Sequence, residues 1–289
     1  MTIATIDIGG TGIKFASLTP DGKILDKAST ATPETLEELL AWLDQRLSER
    51  DYRGIAMSVP GAVNQEIGVI EGISAIPYIH GFSWYEALAH HKLPVHLEND
   101  ANCVGLSELL AHPEIENAAC VVIGTGIGGA MIINGKLHRG RHGLGGEFGY
   151  MTTIEPAERL NNWSLLASTG NMVRYVIEKS GQSDWDGRKV YQEAAAGNAL
   201  CQEAIERMNR NLAQGLLNIQ YLIDPDVISL GGSISQNPDF IKGVQKAVDA
   251  FVERYEEYTI APVIQACTYH ADANLYGALV NWLQEENQW

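Results

Sequence analysis

Long apolar runs are missing from this 289-residue chain: no stretch is long enough to span a bilayer, so membrane insertion is not expected. The start, MTIATIDIGG, has neither the charged leader region nor the long apolar core of a signal peptide, and no secretion is expected. Cysteine is scarce and scattered. Cys103, Cys120, Cys201 and Cys267 form no Cys-x-x-Cys pair, which argues against a disulfide framework or a cysteine zinc site and for the reduced thiols of a cytoplasmic protein. Positive charge is also short: 20 Lys and Arg face 36 Asp and Glu, and no basic cluster offsets the formal charge of −16. Such a surface repels nucleic acid and anionic membranes, so neither is expected as a partner.

What remains is the composition of an ordinary globular protein without a linker or disordered tail. The length exceeds that of a usual single core, so two lobes are expected. The element order sets them at 1–112 plus 273–289 for a smaller α/β lobe and 113–272 for a larger one.

Three turns carry the chemistry. In IDIGGT, Ile6 to Thr11, a short apolar strand ends in Asp7 and runs at once into Gly9, Gly10 and Thr11. Glycines without Cβ let successive backbone N–H groups approach a phosphate, and an acidic neighbour can anchor a hydrated Mg²⁺. GTGIGG, Gly124 to Gly129, follows the apolar strand Cys120 to Ile123, and a third turn, Gly231, Gly232 and Ser233, follows Val227 to Leu230. Each alone reads better as a tight turn; three after strands point to a nucleotide. Gly9, Gly10 and Thr11 with Lys14 then hold the β- and γ-phosphates, Gly124 to Gly128 face the same phosphates, and Gly231 to Ser233 approach the nucleoside.

The surrounding pattern repeats. Ile13 to Leu18 and Lys23 to Ala28 flank the turn Thr19-Pro20-Asp21-Gly22 as a hairpin, and Thr32 with Pro33 opens a helix carrying Leu36, Leu39, Leu40, Leu43 and Leu47 on one face. Strands follow at Gly54 to Val59 and Val95 to Leu97, then a helix from Ala101 to about His112. The second half reproduces strand, glycines and hairpin through Ala130 to Ile133, Asn134-Gly135 and Lys136 to Arg139, which reads as a duplication. Gly124, Gly126 and Gly129 also satisfy G-x-G-x-x-G, but that dinucleotide fingerprint must open a helix, whereas these glycines lead into a strand and an Asn-Gly hairpin turn.

Phosphoryl transfer needs a phosphate cradle, a metal and a positioned base. Asp100, between a strand and a helix, is the candidate base, and Asn99 beside it can hydrogen-bond a sugar hydroxyl pair. Asp100 reads equally well as a helix N-cap. Glu147, within the glycine-rich GRHGLGGEFGY, either clamps sugar hydroxyls or lies solvated on a surface loop.

IDIGGT with Lys14, SVPGAV at Ser58 to Val63, ENDAN at Glu98 to Asn102, GTGIGG and GLGGEFGY together resemble the ROK family of sugar kinases and repressors, within the actin-like ATPase superfamily. The resemblance continues through the Gly231 turn to DANLYG at Asp272 to Gly277. It implies a two-lobed α/β, ribonuclease H-like fold with a central cleft, ATP and Mg²⁺, and transfer of the γ-phosphate to a hexose hydroxyl. It further implies that Asp100 is the base, that Asn99, Gly61 and Glu147 contact the sugar, and that Asp7, Gly9, Gly10, Thr11, Thr125 and Gly126 face phosphate and metal. A homodimer is favoured on the same ground.

Two departures stand out. Many members carry His where this chain has Tyr150, a position of the sugar-binding set, and follow it with a cysteine-rich zinc loop. Here MTTIEPAERLNNWSLLASTG follows, without cysteine, and no structural zinc is expected. If Ala167-Ser168 matches the family's Ala-Ser pair, Ser164 stands in place of a sugar-binding Glu. The altered pocket suits a different epimer, a 2-substituted sugar or a glycoside. A glucokinase-like enzyme is the leading expectation, with a β-glucoside kinase, fructokinase or N-acetylmannosamine kinase as alternatives. A ROK repressor needs a helix-turn-helix, for which the strand beginning at Ile3 leaves no room.

Overall fold

Strand β1 (Ile3–Ile8) is buried along its whole length, including Thr5, whose hydroxyl donates to the Ala16 carbonyl at 3.1 Å, and Asp7. A strand covered on both faces needs apolar residues at nearly every position, which is what this one supplies. Its antiparallel neighbours are β2 (Gly12–Leu18) and then β3 (Ile24–Ala31), joined by a turn in which the Thr19 N–H donates to the Lys23 carbonyl at 3.0 Å. The computed structural model describes residues 1–154, 160–254, 257 and 259–289.

Helix α1 (Leu36–Leu47) begins later than Thr32 and Pro33 suggest. Its cap is Thr35, whose hydroxyl accepts from the Glu38 N–H at 3.3 Å, so the Thr-x-x-Glu spacing rather than the Thr-Pro pair sets the start. Thr32 instead donates its hydroxyl to the Gly9 carbonyl at 2.5 Å, bracing the first glycine turn. Next come β4 (Gly54–Val59), the small hairpin of β5 (Ala62–Asn64) and β6 (Val69–Glu71), the single-turn α2 (Trp84–Ala87), β7 (Val95–Asn99) and α3 (Asp100–Ala111). The sheet runs β3-β2-β1-β4-β7, with β4 parallel to β1 and β7 parallel to β4.

The second unit opens with β8 (Ala118–Ile123), β9 (Ile127–Ile133) and the two-residue β10 (Lys136–Leu137). It continues through β11 (Thr152–Ile154), β12 (Leu160–Asn162), α4 (Trp163–Ala167), α5 (Thr169–Ser180), α6 (Gly187–Ala195), α7 (Ala199–Ile223), β13 (Val227–Gly231), α8 (Pro238–Arg254) and β14 (Ile264–Ala266). Its sheet runs β10-β9-β8-β13-β14, with β9 antiparallel to β8, β10 antiparallel to β9, and β13 and β14 parallel. Position for position this repeats the order and direction of the first sheet, so the duplicated plan is real at the level of topology. Its core joins Val121 and Ile123 of the sheet to Leu212, Leu216 and Ile219 of α7 and Phe240 and Val244 of α8.

By internal contacts the first unit comprises Met1–Glu114, Arg139–Gly145 and Ala271–Trp289; the second comprises Ile115–His138 and Gly146–His270. The final helix, α9 (Ala273–Glu285), therefore belongs to the first unit. One face of the first sheet packs Ile6, Ile13 and Phe15 against Leu39, Leu43 and Leu47 of α1, and the other packs Ile3, Ala16 and Ala56 against Leu275, Leu279 and Trp282 of α9. Gly277 lets α9 press on α3, because a Cβ there would lie 1.7 Å from the Cys103 carbonyl oxygen.

Candidate functional site

In the first unit the strand ends supply the groups. The register sets Lys14 of β2 directly opposite Asp7 of β1, and its ammonium sits 3.0 Å from Asp7 Oδ2 while donating to the Ala271 carbonyl at 2.6 Å. Asp7 Oδ1 accepts from Asn274 Nδ2 at 2.8 Å, so this nearly buried carboxylate is fixed from both sides. The glycine turn that follows closes with the Gly9 N–H donating to the Gly12 carbonyl at 3.1 Å, leaving Gly10 and Thr11 exposed at its tip. These residues line a cavity of about 610 Å³ together with Lys14, Pro60, Asn274 and Asp100.

Asp100 is the first residue of α3, and the cap before it is Asn99. Asn99 Oδ1 accepts from the N–H groups of Ala101 at 2.9 Å and Asn102 at 3.1 Å, and its Nδ2 donates to the Gly61 carbonyl at 3.1 Å. The capping role open to Asp100 is thus filled by its neighbour. Burial pushes the Asp100 carboxyl above the usual carboxylate range and the charge of Asp7 adds to this, against the pull of the Ala101 N–H, 2.8 Å from Oδ1, and of the Asn99 amide. A carboxylate so disposed is a better proton acceptor than one in open water.

Beneath this pair lies a buried ion network. Glu98 is 2% exposed; its Oε1 accepts from the Asn99 N–H at 2.8 Å and Asn102 Nδ2 at 2.9 Å, and its Oε2 accepts from Arg139 Nε at 2.6 Å. Arg139 also donates to Asn281 at 2.6 Å and Glu285 at 2.9 Å. Burial works against the guanidinium charge, but Glu98 and Glu285 outweigh it and hold the group above its usual range. The expected strand from Lys136 to Arg139 stops at Leu137 because Arg139 leaves the sheet for this network. Glu98 could have been suspected from its place two residues before Asp100 on a strand end; Asn274 lay in the DANLYG stretch with no role assigned to it, and Arg139 had no local signal.

In the second unit the Gly124 N–H donates to the Gly126 carbonyl at 2.9 Å, echoing the first turn, and the chain enters β9 rather than a helix, which removes the dinucleotide fingerprint. Gly124 and Thr125 are exposed, and Gly128 lies in β9. Glu147 precedes a short 3-10 turn, Phe148–Tyr150, that packs on β9 so closely that a Cβ on Gly149 would lie 2.0 Å from the Ile127 carbonyl oxygen. Tyr150 is 72% exposed. The Ser164 hydroxyl accepts from the Ile127 N–H at 2.9 Å, so it braces the glycine turn. Residues 155–159, within the stretch that replaces the zinc loop, lie outside the described residues. At the end of β13, Gly232 has φ +88° and no room for a side chain, since a Cβ would lie 2.1 Å from the Ile123 carbonyl oxygen. Beyond Gly231 and Gly232, Ser233 enters a cavity of about 420 Å³ shared with Thr169, Asp186, Arg188, Tyr191 and Asn237. The α6 contribution to this cavity was not legible in the sequence.

The model of the ROK family matches residues 3–285. A β-glucoside kinase of Listeria monocytogenes is 36% identical over 298 residues, covering 100% of this chain and 99% of its own. A crystal structure of a ROK family protein from Streptococcus pneumoniae TIGR4 in complex with sucrose is 88% identical, covers 100% of both chains and superposes with a TM-score of 0.98. The ROK hexokinase of Thermus thermophilus is 26% identical, with a TM-score of 0.86 and coverage of 99% of this chain and 100% of its own. With the actin-like ATPase topology in each unit and end-to-end matches to kinases, the chain belongs to the ROK family, as one of its sugar kinases.

Proposed function

We propose that this kinase transfers the γ-phosphate of ATP to a hydroxyl of a glucosyl unit whose anomeric oxygen carries a substituent, a glycoside in preference to free glucose. The observation that carries the mechanism is Asp100: a half-buried carboxylate with raised proton affinity, relieved of capping by Asn99 and lining one cavity with the first glycine turn. Asp100 takes the proton of the attacking hydroxyl. Asn99, whose second amide N–H remains after Gly61, orients that hydroxyl, and the Glu98–Arg139 pair fixes the Asn99 backbone. In the first unit Gly9, Gly10, Thr11 and Lys14 are the proposed phosphate contacts; in the second, Gly124, Thr125, Gly126 and Gly128 are those for phosphate and Gly231, Gly232 and Ser233 those for the nucleoside. Gly61, Glu147 and Tyr150 complete the sugar contacts.

Asp7 fits a hydrated Mg²⁺: it is a nearly buried carboxylate, fixed by Lys14 and Asn274, in the same cavity as the glycine turn. When bound, the ion would neutralise charge on the transferred phosphates.

Three observations support a glycoside. The L. monocytogenes relative is a β-glucoside kinase, and the S. pneumoniae relative holds sucrose, also a glucosyl unit substituted at the anomeric oxygen. Tyr150 is a largely exposed aromatic at a position where many members carry His, suited to stacking on a second ring. Ser164, at the proposed place of a carboxylate, is engaged with the Ile127 backbone and adds no charge toward a sugar. A coupled ADP-release assay across glucose, mannose, fructose, N-acetylated hexosamines, β-glucosides and sucrose is the test. The highest kcat/KM is expected with a glycoside, and a chelator should abolish turnover until Mg²⁺ is restored. Preference for free glucose or an N-acetylated sugar would overturn the glycoside assignment.

A further inference from the structure

Away from these cavities, the first unit gathers three metal-ligating side chains. Asp44 lies in the last full turn of α1, anchored by the buried Leu43 and Leu47 on either side. The 3-10 turn Ala89–His91, ended by Lys92 in the left-handed region at φ 57°, presents two consecutive histidines to it. His90 Nε2 is 3.0 Å and His91 Nε2 2.7 Å from the same Asp44 Oδ1. The two rings lie 4.1 Å apart between centroids, tilted by 40°. All three donor atoms fall within 4.8 Å of one another, and among the described residues this is the cluster of His, Cys, Asp and Glu with that property.

We infer that Asp44, His90 and His91 bind a borderline divalent metal ion, Zn²⁺ being the type case. Two imidazole nitrogens and a carboxylate oxygen are a donor set that suits Zn²⁺, Ni²⁺ or Cu²⁺, whereas Mg²⁺ and Ca²⁺ prefer oxygens alone. Bonds of about 2.0–2.2 Å around a tetrahedral ion set the donors roughly 3.3 Å apart, so the two His–Asp separations must open by only about 0.3–0.6 Å. The side chains have that freedom: His90 and Asp44 are 56% and 44% exposed, while His91, at 16%, is the fixed member. Without metal each Nε2–H donates to Asp44 Oδ1; on binding that proton leaves Nε2, moving to Nδ1 in a neutral ring or to solvent from a charged one, and the bare nitrogen faces the ion. Solvent completes the coordination, so the ion exchanges freely. The site ties the end of α1 to the segment that feeds β7 and, at its end, Asn99.

The test is calorimetric titration of the full chain, stripped with chelator and dialysed, with ZnCl2 alone. Wild type is expected to show one saturable event. His90→Gln/His91→Gln should weaken that event at least about tenfold, and His138→Gln/His142→Gln, at two exposed histidines elsewhere, should leave it unchanged. MgCl2 should produce no event that depends on His90 or His91. Circular dichroism without metal checks that the variants fold; should the double variant fail, Asp44→Asn takes its place with the same expectation. Equal Zn²⁺ binding by wild type and these variants, or no saturable binding by wild type, overturns the inference. The readout is independent of which sugar the enzyme phosphorylates.

Discussion

At the scale of single residues, Asn99 and Asp100 divide between them two tasks that either could perform. Asn99 caps α3, so replacing Asp100 by Asn removes a proton acceptor without removing the cap. Asp100→Asn should therefore lower kcat by roughly 10² to 10⁴ while retaining ATP binding. Its stability follows from the sign of the pKa shift. Because the folded-state value is raised, the native chain holds this proton more tightly than the unfolded one, and stability falls as pH rises from the unfolded value up through the folded one. Above that window the ionised carboxylate opposes folding, so at neutral pH the Asn variant should melt at or above the wild-type temperature. For the same reason the acid limb of kcat/KM in wild type should lie above the ordinary aspartate range and vanish in the variant. Near-wild-type turnover of Asp100→Asn with the best sugar would remove Asp100 as the base.

At the scale of elements, the position of α3, and with it the base, depends on how closely α9 approaches. Gly277 permits backbone contact with Cys103, while Leu275, Leu279 and Trp282 seat α9 on the first sheet. Gly277→Ala places a methyl where only 1.7 Å separates it from a main-chain oxygen, which no side-chain rotation relieves. The helices must part, at a cost of about 1–3 kcal/mol or more. The midpoint of urea unfolding should fall accordingly, with a loss of kcat out of proportion to any change in the KM for ATP. A variant with an unchanged midpoint would mean that α9 shifts without strain. The same close approach explains why the DANLYG stretch ends in glycine.

At the scale of the whole molecule, charge is the deciding property. The ROK family includes repressors as well as kinases, and a chain with a formal charge of −16 is ill suited to a polyanion. In gel-shift assays at low salt, where phosphate contacts are strongest, the protein should leave duplex DNA unretarded. A retarded band that disappears with added salt would reveal a basic face not evident from the composition. No helix among the described residues is long and apolar enough to cross a membrane.

The sequence by itself determined the strand-glycine turns, the hairpins beside them, the repeated plan and the family, because each depends on residues adjacent in the chain: apolar periodicity, glycine without Cβ, and Asn-Gly turns. The tertiary structure alone decided which residues complete those turns. Asp7 is oriented by Asn274, 267 residues away, and Glu98 by Arg139, 41 residues away, neither pairing leaving a local trace. Thr32 supports Gly9 instead of capping α1, Asn99 rather than Asp100 caps α3, and Ser164 braces Ile127. A short polar side chain has several partners within reach along its own backbone, and the choice among them is made by the neighbours that folding brings up from elsewhere.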